Sequence, residues 1–154
     1  MNAVITLYRR SALMHWLALC LFCALVYQSC AVDPNPERTR IPLRVGKVVL
    51  QVETATTEQE QETGLMFRTK LANDQGMLFI FGKDAQRTFW MKNTLIPLSI
   101  AYISASGEIK VILDMKPQSL EGVPSTYAVR YALEVPQGAF ERAGIRVGNQ
   151  MILP

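Results

Sequence analysis

The chain has 154 residues and a formal net charge of +3 from 16 basic and 13 acidic side chains. This length accommodates one domain, and so small a charge excess provides no basic patch for nucleic acid. The three cysteines (Cys20, Cys23, Cys30) and the single histidine, His15, all lie within the first 30 residues. If that segment is removed, disulfides, Cys/His zinc sites and catalysis by histidine or cysteine are excluded.

Residues 1–30 have the pattern of a signal peptide. Arg9 and Arg10 precede a nearly continuous apolar segment over residues 11–27. A basic region followed by roughly 15 apolar residues is typical of such peptides. An uncleaved anchor is the second choice, because a spanning helix needs about 20 apolar residues. The sequence therefore predicts a protein secreted across the inner membrane into the periplasm.

Two processing routes are open at the end of this segment. Small residues at Ser29 and Ala31 suit cleavage after Ala31 by signal peptidase. Alternatively, Cys30 follows Ser29 as in a bacterial lipobox, which would place a lipid on the Cys30 sulfur and favour the outer membrane. Tyr27 and Gln28 are unusual in that motif. Both the free and the lipidated form remain compatible with the sequence.

Residues 31–42 are predicted as a Pro-rich tether, and residues 43–154 as the domain that follows it. Alternating apolar and polar side chains over residues 47–55 predict a half-buried strand. Thr57 and Glu60 fit a capping box, which predicts a short helix from about residue 58 to residue 63.

The rest of the chain is predicted as short strands joined by Gly- and Pro-containing turns. Strands are expected over residues 76–81, 87–91, 95–103, 109–113, 127–135 and 150–153, turns at 82–84 and 104–107, a loop at 116–125 and a helical turn at 136–142. About seven short strands with one or two short helices predict a mainly β fold, a small sandwich or barrel.

Four segments resemble a known family. They read GLMFR at residues 64–68, GMLF at 76–79, FWMKNTLIPL at 89–98 and ALEVPQG at 132–138. Together, and in this order over about residues 45–152, they resemble DUF192, a bacterial and archaeal domain of unknown function that is often found behind a signal peptide. The resemblance implies a compact β-rich domain and no established reaction.

Six residues of these motifs are candidates for a ligand site: Arg68, Trp90, Lys92, Asn93, Thr94 and Glu134. Polar groups inside apolar motifs lose free energy unless they find partners. If the six converge, Trp90 offers a stacking wall, and Arg68 and Lys92 offer donors to an acidic or sugar-like ligand. The alternative is structural, with a partly buried Lys92–Glu134 ion pair and a turn at Asn93-Thr94.

Two other hypotheses use different side chains. Met66, Met77, Met91 and Met115 recur beside the motifs, and thioethers bind Cu(I) or Ag(I), although methionine is more often a core residue. Carboxylates such as Glu53, Asp114 and Glu134 would suit glycoside hydrolysis if two of them faced one cleft.

The sequence favours a monomeric, non-catalytic binding or accessory module of the cell envelope. The predicted partner is a small ligand or an envelope protein, with no nucleic acid and no cofactor. Contact with a membrane is predicted only through the signal segment or a lipid on Cys30. A carboxylate-based hydrolase is the alternative function, and a methionine site for Cu(I) or Ag(I) comes third.

Overall fold

The computed structural model describes residues 34–153. The predicted signal peptide and the candidate lipidation site Cys30 lie outside the described residues. The elements are β1 (Ile41–Val45), β2 (Val48–Ala55), α1 (Glu58–Thr63), β3 (Gln75–Ala85), β4 (Thr88–Phe89), β5 (Leu98–Ile103), β6 (Ile109–Met115), β7 (Val123–Pro124), β8 (Val129–Pro136), α2 (Ala139–Arg142) and β9 (Met151–Ile152). Within residues 34–153, no helix has the length and apolar character that crossing a membrane requires.

Seven of the strands form one sheet in the order β6-β5-β8-β3-β2-β1-β9, and β4 pairs with β7 in a separate ribbon. Only β2 and β3 pair in parallel, and α1 lies in the connection between them. The sheet curls until its edges meet at one end, where the Ile109 amide donates to the Asn149 carbonyl at 3.0 Å and the Gly148 amide donates to the Ile109 carbonyl at 2.9 Å. The predicted mainly β class is confirmed as a curled half-barrel with two short helices.

The central strands are buried on both faces of the sheet. All six residues of β5 are buried, which explains why its sequence is apolar without alternation. An inner cluster joins Leu43 and Val45 of β1 to Ile103 and Ile109 from the far end of the sheet, so it fills the inside of the curl. Side chains at the intervening positions point the other way, since successive residues of a strand alternate between faces.

These outward-facing side chains form an outer cluster, which includes Met77 and Phe79 of β3 and Ile100 and Tyr102 of β5. The segments that follow α1 and β4 cover it: Leu65 and Met91 are both buried in this cluster. The outer cluster is the part of the core that positions the candidate site.

The predicted capping box at the start of α1 is confirmed. The Thr57 hydroxyl accepts from the Glu60 amide at 3.3 Å, and the Glu60 carboxylate accepts from the Thr57 amide at 3.0 Å. Hydrogen bonds from the backbone amides of Thr57 and Thr56 lower the pKa of Glu60 to about 2. The side-chain amide of Gln61 donates to the Ile80 carbonyl at 2.9 Å, which holds α1 against β3.

Several predicted element boundaries were wrong. The turn expected at residues 82–84 is instead part of β3, whose register with β8 shifts between Ile80 and Ala85. The strand expected over residues 95–103 begins at Leu98, directly after Pro97, which has no N–H for a sheet. The strand expected over residues 87–91 is confined to the two residues of β4, because its partner β7 is equally short and lies in the predicted loop.

The described part of the Pro-rich tether lies against the domain. The side-chain amide of Asn35 donates to the Gly64 carbonyl at 2.9 Å and to the Met66 carbonyl at 2.8 Å. The Arg38 backbone amide donates to the Glu53 carboxylate at 3.1 Å. Strand β1 begins at Ile41, two residues before the predicted start of the domain.

Candidate functional site

A cavity of about 330 Å³ lies over the outer cluster. One wall is α1 with residues 64–66, and the other consists of residues 87–90 and Thr94. Phe79, Phe81 and Glu134 contribute side chains from the sheet and form its floor. This volume lies at the lower end of the range for small-molecule sites, roughly 300–1,000 Å³.

Glu134 is the polar group on that floor. It lies on β8, in register with Met77 of β3 on one side and Ile100 of β5 on the other, so its flanking partners on the sheet are apolar. Its exposed fraction is 4%, and within residues 34–153 its carboxyl group has no hydrogen bond and no ion pair. Burial raises the pKa of Glu134 to about 8. The cavity floor therefore presents a carboxyl group that is largely protonated at neutral pH.

Close packing of β3 against β8 determines the position of this carboxyl group. A Cβ atom on Gly76 would lie 2.5 Å from the Glu134 carbonyl oxygen, so only glycine fits there. Any larger residue at position 76 would push the backbone of Glu134 away from β3.

An aromatic cluster forms the deep part of the cavity. The Phe89 ring stands edge-on to the rings of Phe79, at 4.8 Å between centroids, and of Tyr102, at 5.8 Å. The Tyr102 hydroxyl donates to the Val123 carbonyl and so ties β5 to the β4–β7 ribbon. Burial, and then the charge of Glu134, raise the pKa of Tyr102. These contacts hold Phe89 in place as a wall of the site.

The segment Lys92-Asn93-Thr94 is a turn whose last residue lines the cavity. The Thr94 amide donates to the Met91 carbonyl at 3.0 Å, and Asn93 has a φ of +55°, which asparagine tolerates better than most residues. The Asn93 carbonyl accepts from the Phe67 amide at 2.8 Å and links the two walls. The segment is thus a turn that also forms the lip of the cavity, which it lines through Thr94.

Charged and exposed side chains surround the cavity mouth. Trp90 is 53% exposed, and the Lys92 ammonium lies 5.5 Å from the centre of its ring. The Arg87 guanidinium lies 4.2 Å from the centre of the Phe81 ring and donates to the Lys83 carbonyl at 3.0 Å. Glu58 and Glu62 of α1 line the opposite side and are exposed.

The structure brings three of the six candidate ligand-binding residues to the cavity: Trp90, Thr94 and Glu134. Asn93 and Lys92 are exposed outside it. Arg68 is 5% exposed and donates to the Glu53 carboxylate at 2.9 Å, so its charge is compensated away from the cavity. The alternative Lys92–Glu134 ion pair does not form, because the Lys92 ammonium faces Trp90 at the surface.

Apart from Met66, a candidate of the methionine hypothesis, the remaining cavity residues were not among the sequence candidates. Phe79 and Phe81 are two positions apart on β3, a spacing that indicates one shared face of a strand. The sequence did not single out Arg87, Glu58 or Glu62 as cavity residues, because isolated charged residues are usually solvated.

The four methionines of the Cu(I) or Ag(I) hypothesis lie mainly in the core. Met77, Met91 and Met115 are buried in the outer cluster, and Met66 lines the cavity. Among residues 34–153, no group of three or more His, Cys, Asp or Glu side chains could hold a metal ion. Burial of three of the four methionines in an apolar cluster is typical of methionine used as core packing.

The three carboxylates proposed for hydrolysis do not meet in one cleft. Glu53 is engaged by Arg68, and Asp114 accepts hydrogen bonds from Ser99 and Gln137. Of the three, only Glu134 lines the cavity. These three residues therefore do not supply the two carboxylates facing one cleft that a glycosidase needs.

These features define a class of protein: a small, mainly β half-barrel domain with a ligand-sized cavity above an ionisable group on its sheet. The family model of DUF192, described as "Uncharacterized ACR", matches residues 41–153, and the chain belongs to this family. The resemblance found in the four sequence motifs is thereby confirmed.

Two solved structures are similar to the chain. One is a protein of Sinorhizobium meliloti 1021 described as a proposed transcription regulator, 33% identical with a TM-score of 0.72, covering 76% of this chain and 97% of that protein. The other is a protein of unknown function from Novosphingobium aromaticivorans DSM 12444, 28% identical with a TM-score of 0.72, covering 82% of this chain and 99% of that protein. Comparison with curated proteins finds no match.

Proposed function

We propose that this domain is a non-catalytic binding module that holds a small molecule in the cavity between α1 and residues 87–94. The observation that carries the proposal is the carboxyl group of Glu134, which is buried without a partner in the described residues and lines the cavity. Burial of such a group is costly unless it is hydrogen-bonded or paired. A bound molecule would supply the missing partner.

The other cavity residues support the same function. Small-molecule sites are mostly apolar, with a few polar groups that converge on the ligand. Here Phe79, Phe81 and Phe89 supply apolar surface, while Glu134 and Thr94 supply polar groups at the floor and the lip. The mouth adds Trp90, whose exposed ring offers a face for stacking.

A raised pKa in a cleft is also a property of catalytic acids, which favours the hydrolase as the second candidate function. A hydrolase of the two-carboxylate type needs a second ionised carboxyl beside Glu134. Glu53, a carboxylate on the same face of the sheet, is paired with Arg68 at 2.9 Å and does not line the cavity. A non-catalytic binding site needs no second carboxylate, so it accounts for a single unpaired acid in the cavity better than a hydrolase does.

The proposal includes a location in the cell envelope. It rests on the signal-peptide pattern of residues 1–30, with Cys30 as a candidate lipid anchor. The Sinorhizobium relative is described as a proposed transcription regulator. Removal of Arg9 and Arg10 with the signal peptide lowers the net charge of this chain from +3 to +1, which does not favour binding to DNA.

Thermal-shift screening tests the binding function. The protein purified after export is screened against small amines, acids, sugars and alcohols. A ligand at about 100 times its Kd stabilises the fold by about 2.7 kcal/mol and raises Tm by roughly 10 °C.

The matched control is a second exposed aromatic residue outside the cavity. Trp90 and Tyr127 are 53% and 52% exposed. Trp90→Ala is expected to reduce the ligand-induced shift, and Tyr127→Ala is expected to leave it unchanged. An equal loss of the shift in both variants, or no loss in either, would place the ligand elsewhere.

A further inference from the structure

We infer that the ligand is a small organic cation, a protonated amine with an apolar body, whose charged group binds beside the Glu134 carboxylate. This inference rests on the proposed binding function and names the class of ligand. It is carried by three features of the cavity: an unpaired acid on its floor, an excess of acidic side chains around it, and aromatic walls.

The floor of the cavity offers an acid that has no counter-charge. Among residues 34–153, Glu134 makes no ion pair, and its exposed fraction is 4%. Glu53 lies on the same face of the sheet and does have a counter-charge, because the buried Arg68 guanidinium lies 2.9 Å from its carboxylate. The fold thus supplies a cation to one of the two buried acids on this face and leaves the other facing the cavity.

The charges that line the cavity are mainly acidic. Glu58, Glu62 and Glu134 face it, and Arg87 is the basic residue among the described cavity-lining side chains. The Arg87 guanidinium packs on the Phe81 ring and donates from one terminal nitrogen to the Lys83 carbonyl, while its buried Nε has no hydrogen-bond partner in the described residues. Lys92 adds an ammonium group beside Trp90 at the mouth. The mouth therefore carries no net positive charge that would select an anion, and the unpaired acid on the floor favours a cation.

Aromatic rings enclose the space above the acid. Phe79, Phe81, Phe89 and Trp90 line the cavity. The faces of such rings attract a cation electrostatically, most strongly when the site is desolvated, although the Arg87 guanidinium already covers the Phe81 ring. Several aromatic walls combined with one carboxylate suit an ammonium group attached to a hydrocarbon body.

Binding of a cation would be coupled to loss of a proton from Glu134. Burial raises the pKa of this carboxyl to about 8, so most molecules carry the proton at pH 7 when the cavity is empty. An adjacent positive charge favours the ionised form. A bound ammonium group therefore displaces nearly one proton per site at pH 7, and its apparent affinity increases with pH up to about 8.

The other charged groups around Glu134 do not interfere with this coupling. Glu58 and Glu62 of α1 are exposed at the mouth, Lys92 lies there beside Trp90, and the Arg87 guanidinium packs on Phe81. On the neighbouring strands, the pKa of Tyr102 is raised above its ordinary value, and Glu53 is compensated by Arg68. The proton released near neutral pH is thus assigned to Glu134.

Calorimetric titration with probes of matched shape tests the inference. The protein purified after export is titrated with benzylamine and cyclohexylmethylamine, with the corresponding alcohols, and with the corresponding carboxylates. We expect the protonated amines to bind most tightly and more than tenfold better at pH 8 than at pH 6. Titration at pH 7 in buffers of different ionisation enthalpy is expected to show nearly one proton released per bound amine.

Two variants of similar chemistry complete the test. Glu134→Gln keeps the shape of the side chain and removes its charge, and we expect a loss of at least tenfold in amine affinity together with the proton release. Glu121→Gln removes an exposed acid outside the cavity and is expected to change nothing. An unchanged near-ultraviolet circular dichroism spectrum, which reports the packing of the aromatic residues around the cavity, shows that any lost binding is not due to a disrupted cavity.

The outcomes separate this inference from the proposed function. Tighter binding of the alcohols or carboxylates, or amine binding that survives Glu134→Gln, would overturn the cationic ligand and leave a small-molecule site in place. If no probe bound and the broad thermal-shift screen were also empty, both proposals would fail.

Discussion

At the scale of single residues, Glu134 illustrates a conflict between stability and the candidate site. Its neighbours in the sheet are the apolar Met77 and Ile100. An apolar residue there would extend the outer cluster, whereas the carboxyl group loses its hydration without gaining a partner in the described residues. Groups that break a packing rule in this way are found mostly at functional sites.

The pKa of Glu134 predicts a pH-dependent stability. It is raised in the folded protein from an ordinary value of 4.5 to about 8. The folded state therefore holds its proton more tightly, and this contribution to stability is complete below pH 4.5 and is lost as pH rises to about 8. Relative to Glu134→Gln, the native protein should lose on the order of 4 kcal/mol between these limits.

Urea unfolding of both proteins at pH 4.5, 6 and 8.5 measures this difference. The difference in the free energy of unfolding is expected to grow in favour of Glu134→Gln as pH rises. Other titrating groups cancel in the comparison, because both proteins contain them. A difference that stays constant over the whole range would contradict burial of an uncompensated acid.

At the scale of elements, the buried ion pair between Glu53 of β2 and Arg68 connects the sheet to the segment after α1. The guanidinium donates to the Glu53 carboxylate at 2.9 Å and to the Pro36 carbonyl at 3.0 Å. Arg40 approaches the same carboxylate at 3.6 Å. The pair therefore holds three parts of the chain together, beside the cavity and not in it.

Removal of one member of this pair is expected to be strongly destabilising. Arg68→Met leaves Glu53 buried without its main partner, which costs about 3–5 kcal/mol, and the additional change Glu53→Leu should recover most of the loss. The control is the more exposed pair of Lys110 and Glu108, at 2.6 Å, where Lys110→Met should cost less than about 1 kcal/mol. Denaturant unfolding measures all three variants against the native protein, and equal losses at the two pairs would contradict the buried role.

At the scale of the whole molecule, the described part of the Pro-rich segment connects the domain to the predicted export signal. Asn35 donates to the carbonyls of Gly64 and Met66, two residues that line the cavity. Asn35, near the start of the described residues, is therefore attached to one wall of the candidate site.

Export is the prediction that belongs to this scale. We expect fractionation of the producing bacterium to place the protein in the cell envelope, and a variant without residues 1–30 to remain in the cytoplasm. Cys30→Ser separates the two processing routes, because a lipidated protein would move from the membrane fraction to the soluble periplasmic fraction. Recovery of the unmodified protein from the cytoplasm would contradict export.

The sequence by itself was sufficient for the class of fold, the family and the helix α1. These depend on local patterns: alternation in β2, the capping box of Thr57 and Glu60, and four contiguous motifs. Trp90, Thr94 and Glu134 were also identified, because polar or aromatic residues within apolar motifs are conspicuous.

Tertiary structure alone decided which of these residues act together. Arg68 and Glu134 look equivalent in sequence, yet one is compensated by Glu53 and the other faces the cavity. The difference depends on residues distant in the chain, because the charge next to a buried group is determined by how strands pair and how loops fold over them. The same holds for Arg87, which only the folding of the chain brings to the mouth of the cavity.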